Sequence, residues 1–187
     1  MKRYMADVLT AVFFLVLAAL SIYVALEYPS PLNWMVVIHN MMLVGVYLER
    51  EPEKVSDRVG LWLGLCAAFL PIPLMPITPS GALLWVGMAG YTLVLVSLGT
   101  LGPRFGIAPA ARGLVAIGVY RLVRHPMYLG ELLLRGVLTI ANPAQGLVPL
   151  AILILLQVLR ILREEKIIAG YDAYKRLVRW RLIPFVW

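Results

Sequence analysis

"VLTAVFFLVLAALSIYVAL", Val8 to Leu26, runs for 19 residues without a charged side chain. An α-helix of about 20 apolar residues crosses a bilayer. The apolar core of a secretory leader is only about 7–15 residues. This run is longer and further apolar runs follow it, so it reads as a retained transmembrane helix. Composition agrees: 61% of the chain is hydrophobic and 14% is charged. Soluble domains are about 45–50% apolar and roughly 25% charged. So large an apolar excess cannot all be hidden in one small soluble core, and lipid is the natural solvent for the remainder.

Five more apolar segments follow, at roughly 33–48, 59–78, 81–101, 126–141 and 146–163. "PIPLMPITP", within 71–79, carries four prolines and predicts an irregular end to the third segment. "NPAQG", 142–146, reads as a turn between the fifth and sixth. A five-segment version would merge 126–163 into one broken or re-entrant hairpin. The expected fold is all-α: an integral membrane bundle of five to six transmembrane helices. It closes in a C-terminal helical hairpin with a cytoplasmic cofactor pocket. Residues 1–101 would be the transmembrane scaffold and 102–187 the catalytic part.

The cations support this count. Of 17 lysines and arginines, 16 lie at the chain start, in 49–58, in 102–125 or from Arg160 onward. The alternate loops 27–32, 71–80 and 142–146 hold none, and Arg135 is the exception. The positive-inside rule makes the cation-rich side cytoplasmic, with both termini on it. The net charge of +7 is therefore read as membrane orientation, and nucleic acid is not expected as a partner. Cys66 sits in an apolar run and is expected to be a small buried hydrophobe; no metal site is expected. The tail "YDAYKRLVRWRLIPFVW" mixes aromatic and basic residues, which suits a helix at the lipid interface. Arg121 and Arg124 read as membrane anchors, and His39 and Asn40 as interhelical polar packing.

The candidate chemistry gathers at the cytoplasmic edge of the last two segments. In "GVYRLVRHPMYLGE", 118–131, His125-Pro126 opens a helix; proline suits a first turn, where no N–H is needed. Glu164 and Glu165 end the next segment, where the helix dipole disfavours carboxylates. Arg160 lies four residues before Glu164, on the same face. An antiparallel pair of helices would set His125 and the Glu pair at one depth. Glu131 and Arg135 lie four apart inside the membrane stretch. Ionisable groups there suggest function, and a structural ion pair is the alternative.

"GVYRLVRHPMYLG", then "NP", then "REE" and "YDAYKRLVRWRLIP", resembles the isoprenylcysteine carboxyl methyltransferase family and the related phospholipid methyltransferases. The resemblance covers about residues 99–187. It implies S-adenosylmethionine as cofactor, with Arg112, Gly113, Leu114, Val115 and Tyr120 lining its site from the loop. His125, Pro126, Met127 and Tyr128 would wrap it, and Glu164, with Glu165 beside it, would hold a polar group. It further implies that Arg160 faces the substrate, a lipophilic or lipid-modified acceptor drawn from membrane lipid. Glu131 and Arg135 lie outside that signature; they could set substrate choice or form a buried structural ion pair. The chain departs from the family's pattern in the short "KIIAG" before Tyr171 and in "VRWR" near the end.

Two other readings stay open. NADPH-dependent sterol reductases resemble the same block, often with Asn where Met127 stands and an acid where Glu131 follows Gly130. A non-catalytic membrane scaffold is the third. The orientation has its own test: cysteines placed at Glu27, Thr78 and Asn142 should label from outside the cell, and one at Ala111 should not. Outside labelling at Ala111 would reverse the topology.

Overall fold

A computed structural model of the protein describes residues 2–51, 58–69, 76–107 and 113–187. The described residues are helical, without strands: α1 (Lys2–Glu27), α2 (Pro31–Leu48), α3 (Arg58–Phe69), α4 (Gly81–Leu101), α5 (Pro126–Ala141), α6 (Pro143–Ile167) and α7 (Tyr171–Leu177). Short 3-10 turns lie at Gly102–Arg104 and Gly118–Arg121. Four stretches are long and apolar enough to cross a membrane: Met5–Glu27, Pro31–Leu48, Gly81–Arg104 and Pro143–Ile167. Their outward faces carry Leu9, Val16, Trp85 and Leu155, all exposed, as a multi-pass membrane protein requires. α5 has 16 residues and α3 has 12, short of the usual span of about 20.

Helix starts follow local chemistry. Proline stands at the first turn of α2, α5 and α6, where its fixed φ suits the helix and its missing N–H costs nothing. The same rule corrects one boundary. "NPAQG" is not a five-residue turn: Asn142 alone separates α5 from α6, and Pro143 is already helical.

Polar contacts at the two ends align the helices. At one end Arg50, after α2, pairs with Asp7 of α1 at 2.8 Å. The Glu51 N–H donates to the Pro103 carbonyl after α4, at 2.9 Å. At the other end the Asn33 side chain donates to the Tyr28 carbonyl at 2.7 Å and accepts from the Ile77 N–H at 2.9 Å. So α1 runs antiparallel to α2, and α4 runs parallel to α2. The main core lies between them, around Leu32, Tyr47, Val94 and Leu98. His39 and Asn40 pack as expected: His39 Nδ1 lies 3.2 Å from the Tyr91 hydroxyl, and Asn40 donates to Ser21 at 2.9 Å.

α5 packs against α4 through glycine. A Cβ on Gly130 would stand 2.5 Å from the Gly90 carbonyl oxygen, and one on Gly90 would stand 2.9 Å from the Leu133 Cβ. Small residues at such a crossing let the backbones meet, which drives helix packing in lipid.

Three expectations change. Cys66 is exposed, not buried. The tail is not one helix: α7 ends at Leu177, and the chain beyond pairs its backbone with the segment before α5. Arg124 is not a membrane anchor but a buried side chain, held by a carboxylate as described below. Only part of the proline-rich "PIPLMPITP" falls within the described residues; 76–80 there is not helical.

Gly130→Ala should destabilise the fold by about 1–3 kcal/mol, the usual cost of overpacking. Gly136→Ala, on the same helix with nothing within 4 Å of its Cβ, should be neutral or stabilising by up to about 1 kcal/mol. Thermal unfolding in detergent measures both; equal melting of the two variants would contradict the close crossing.

Candidate functional site

His125 occupies the N-cap position of α5. The Arg124 and His125 N–H groups lie before the helix and need outside partners. They donate to the Trp180 and Arg181 carbonyls of the tail, both at 2.9 Å. The His125 ring lies parallel to Tyr128, with centroids 5.6 Å apart, and stacks on Tyr171 at 6.3 Å. Its Nε2 and the Tyr171 hydroxyl are hydrogen-bonded at 3.0 Å. The histidine is thus fixed on three sides and 6% exposed.

The two carboxylates at the end of α6 share His125, whose Nδ1 lies 3.7 Å from Glu164 and whose Nε2 lies 3.5 Å from Glu165, but their other partners differ. Successive helical residues point about 100° apart, so their remaining contacts diverge. Glu165 accepts two bonds from Arg181, from Nε and Nη2, each at 3.0 Å. Arg124 Nη1 lies 3.0 Å from the same carboxylate, and both of these side chains are almost fully buried. Glu164 instead accepts a hydrogen bond from the Tyr128 hydroxyl, and its second oxygen lies 3.7 Å from His125 Nδ1.

Glu164 opens on a cavity of about 90 Å³, whose wall includes Tyr120, His125, Met127, Tyr128 and Arg160. Leu101 and Arg104 close it from the end of α4. Arg160 lies over the Tyr128 ring at 4.7 Å and donates to the Ile107 carbonyl at 3.3 Å. Its Nε is buried without a hydrogen-bond partner. A second cavity, of about 340 Å³ and largely apolar, lies between the helices; Phe105, Met127 and Arg160 line both.

The phenols around the site are held neutral. Burial raises the phenols of Tyr120 and Tyr171 well above their ordinary range, with Glu164 and Glu165 respectively adding to the effect. Burial pushes Tyr174 up to about 12. The Tyr174 hydroxyl therefore stays a donor, and it donates to the Tyr120 carbonyl at 2.5 Å. The hydrogen bonds from Arg181 to Glu165 keep that guanidinium charged.

The structure thus brings Tyr120, His125, Met127, Tyr128, Arg160 and Glu164 to one cavity. Pro126 is buried in the first turn of α5 behind them. Leu114 packs on the Tyr171–Tyr174 cluster, and Val115 is buried. Gly113, at φ +106, lies against Arg104. Arg112 falls outside the described residues. Glu165 braces the site through its two arginines. Glu131 and Arg135 line the larger cavity. There Glu131 accepts a hydrogen bond from Gln157, a residue the sequence reading passed over. A lone polar residue three positions before Arg160 in an apolar helix was its signal. Arg104 and Phe105 were also missed, because only the tertiary fold brings the end of α4 to α5.

No family model, curated protein or solved structure matches the chain.

Glu165→Ala would strand the buried Arg124 guanidinium and should cost about 3–5 kcal/mol. Arg181→Ala removes a partner that is 27% exposed and should cost only about 1 kcal/mol. Melting temperatures of the two purified variants would establish the order, and the reverse order would refute the bracing role.

Proposed function

We propose that the protein is an integral membrane methyltransferase that uses S-adenosylmethionine and acts on a lipophilic acceptor. The observation that carries this reading is the meeting of Tyr120, His125, Met127 and Tyr128 with Arg160 and Glu164 around one cavity. These are the residues that the resemblance assigns to the cofactor and the acceptor. In the proposed topology α5 and α6 form the C-terminal hairpin, α3 and α5 complete six crossings, and the cation-rich end faces the cytoplasm.

The donor set fits the cofactor's chemistry. Glu164 keeps acceptor capacity beyond its bond to Tyr128 and could take ribose hydroxyls or an ammonium. Arg104, in the wall and half-exposed, already pairs with Glu51 at 3.5 Å and has further donors that suit a carboxylate. The Tyr128 and Tyr120 rings offer π faces to a sulfonium or to adenine. A cavity of about 90 Å³ is smaller than the whole cofactor, so the fit is one of chemistry at one end of the molecule. Bound there, S-adenosylmethionine would supply an electrophilic methyl group.

The chain's own residues would do the rest. His125, clamped between two tyrosines, orients the polar end of the site. Arg160 lines both cavities. A guanidinium there attracts a carboxylate or thiolate and keeps it ionised. Holding that nucleophile in line at about 3–3.5 Å is the main catalytic contribution. The departing thioether is neutral, so the site needs no proton donor. The apolar cavity beyond Met127 would take the acceptor's greasy part.

Titration of the purified protein with S-adenosylhomocysteine should give binding in the micromolar range, lost in His125→Ala and Glu164→Ala. NADPH binding in its place would refute methyl transfer in favour of a reductase. No nucleotide binding by folded protein would favour a scaffold.

A further inference from the structure

The tail beyond α7 turns back on itself. Pro184 and Phe185 stand at the centre of a turn in which the Val186 N–H donates to the Ile183 carbonyl at 3.1 Å. Proline favours the second position of such a turn, and a third position with positive φ ordinarily calls for glycine. Here that position is Phe185, at φ +66, a costly conformation for a bulky side chain. The protein itself gives the ring little cover: Phe185 is 87% exposed, and Val186 beside it is 75% exposed.

The loop lies at membrane depth. The Trp180 and Arg181 carbonyls accept the N–H groups that lead into α5, which sets them level with the start of that helix. Leu182 is buried in one cluster with Tyr128 and Ile161, and Trp187 packs there with Leu129 and Leu132. At 1.5 Å per residue, Leu132 lies about 9 Å inward from Pro126, and Ile161 about as far inward from the end of α6. Ile161 belongs to Pro143–Ile167, a stretch long and apolar enough to cross a membrane. Backbone at such a depth must bond within the protein. The Arg181 and Leu182 N–H groups donate to the Trp187 carbonyl at 2.9 and 3.0 Å, and the Trp187 N–H donates to Ile183 at 3.1 Å. The charge around the loop is positive: residues 171–187 carry four cations against one acid, Asp172. The exposed Arg179 lies over the Trp180 ring at 5.2 Å, and the centroid of that ring is 5.1 Å from the Phe185 ring. Cation, indole and phenyl are thus contiguous, and tryptophan gathers at headgroup level in bilayers.

We propose that the loop 182–187 is seated in the bilayer on anionic phospholipid, with Phe185 and Val186 among the acyl chains and Arg179 on the headgroup phosphate. The seat requires only that α6 crosses the bilayer, whatever the reaction at the site. Burying the ring in lipid offsets the cost of its left-handed backbone. A guanidinium above an indole meets a phosphate with paired donors. The same tail carbonyls hold Arg124 and His125, so the seat fixes one wall of the candidate site against the membrane surface.

The test places a small fluorophore on the full protein through Val186→Cys, in a Cys66→Ser background, in nanodiscs of mixed phosphatidylcholine and phosphatidylglycerol. Lipid brominated near the headgroup end of its acyl chains should quench this label, and iodide in the water should not. A label placed through Asp172→Cys, whose side chain is 89% exposed, should show the opposite. Brominating only the phosphatidylglycerol, against only the phosphatidylcholine, should reveal about fivefold enrichment of anionic lipid beside the label at 186. Arg179→Gln should cut that enrichment to about twofold or less. Phe185→Gly relieves the backbone but removes a ring that favours insertion by about tenfold or more, so it should move the label toward water. Equal iodide quenching at 186 and 172 overturns the proposal. So does a label at 186 shielded from both quenchers, which would mark a protein partner or a second copy on the loop. Absence of anionic enrichment also overturns it, as do folded variants that behave like the parent. The parent readings decide the matter even if neither variant folds.

Discussion

The Glu165 carboxylate, held between Arg124 and Arg181, is the interaction on which the site's geometry depends. It joins three pieces distant in sequence: the end of α6, the segment before α5, and the tail. Two further bonds run alongside it, from the Arg124 and His125 N–H groups to the tail carbonyls. A buried ion pair adds little net stability over a well-packed apolar substitute, because both charges lose their water. What it imposes here is geometry. With Glu165 fixed, His125 has one position available, between the Tyr128 and Tyr171 rings.

Helical periodicity then divides the labour of two adjacent glutamates. Glu165 turns toward the tail and is neutralised by arginine. Glu164, a step of about 100° away, turns toward the cavity and the Tyr128 hydroxyl. One carboxylate builds the wall, and the other keeps acceptor capacity for a ligand. Arg160, one turn earlier than Glu164, extends that face to the junction of the two cavities. The proposed reaction places the cofactor on one side of that junction and the acceptor on the other.

Much of the fold was legible as pattern. Apolar runs predicted α2, α4, α5 and α6 to within about four residues, whereas α1 starts at Lys2, six before its run, and α3 (Arg58–Phe69) is shorter than the 59–78 segment; the loops without cations alternated as the helix ends do. Prolines marked the starts of α2, α5 and α6. The "RHPMY" stretch and Glu164 pointed to one site, and Arg160 could be placed beside Glu164 by its four-residue spacing. Other features were invisible for specific physical reasons. Arg121 and Arg124 look alike in sequence; Arg124 is buried because a carboxylate 41 positions later reaches it. Cys66 lies in an apolar run, and a run that is apolar all round gives no phase to say which face turns outward. The tail leaves its helix at Leu177 because its backbone finds partners before α5, which no local propensity records.

The sequence by itself determined what depends on spacing along one chain: helix lengths, the apolar solvent they require, the distribution of cations, and which residues share a helical face. Only the tertiary structure decided what depends on meetings between helices. It set the close crossing at Gly90 and Gly130, the separate roles of Glu164 and Glu165, and the Gln157–Glu131 bond. It also brought the end of α4 into the cavity wall. The reason is that periodicity specifies an angle around a helix axis, whereas a site requires the distance between axes, and that distance is set by side-chain packing across the whole bundle.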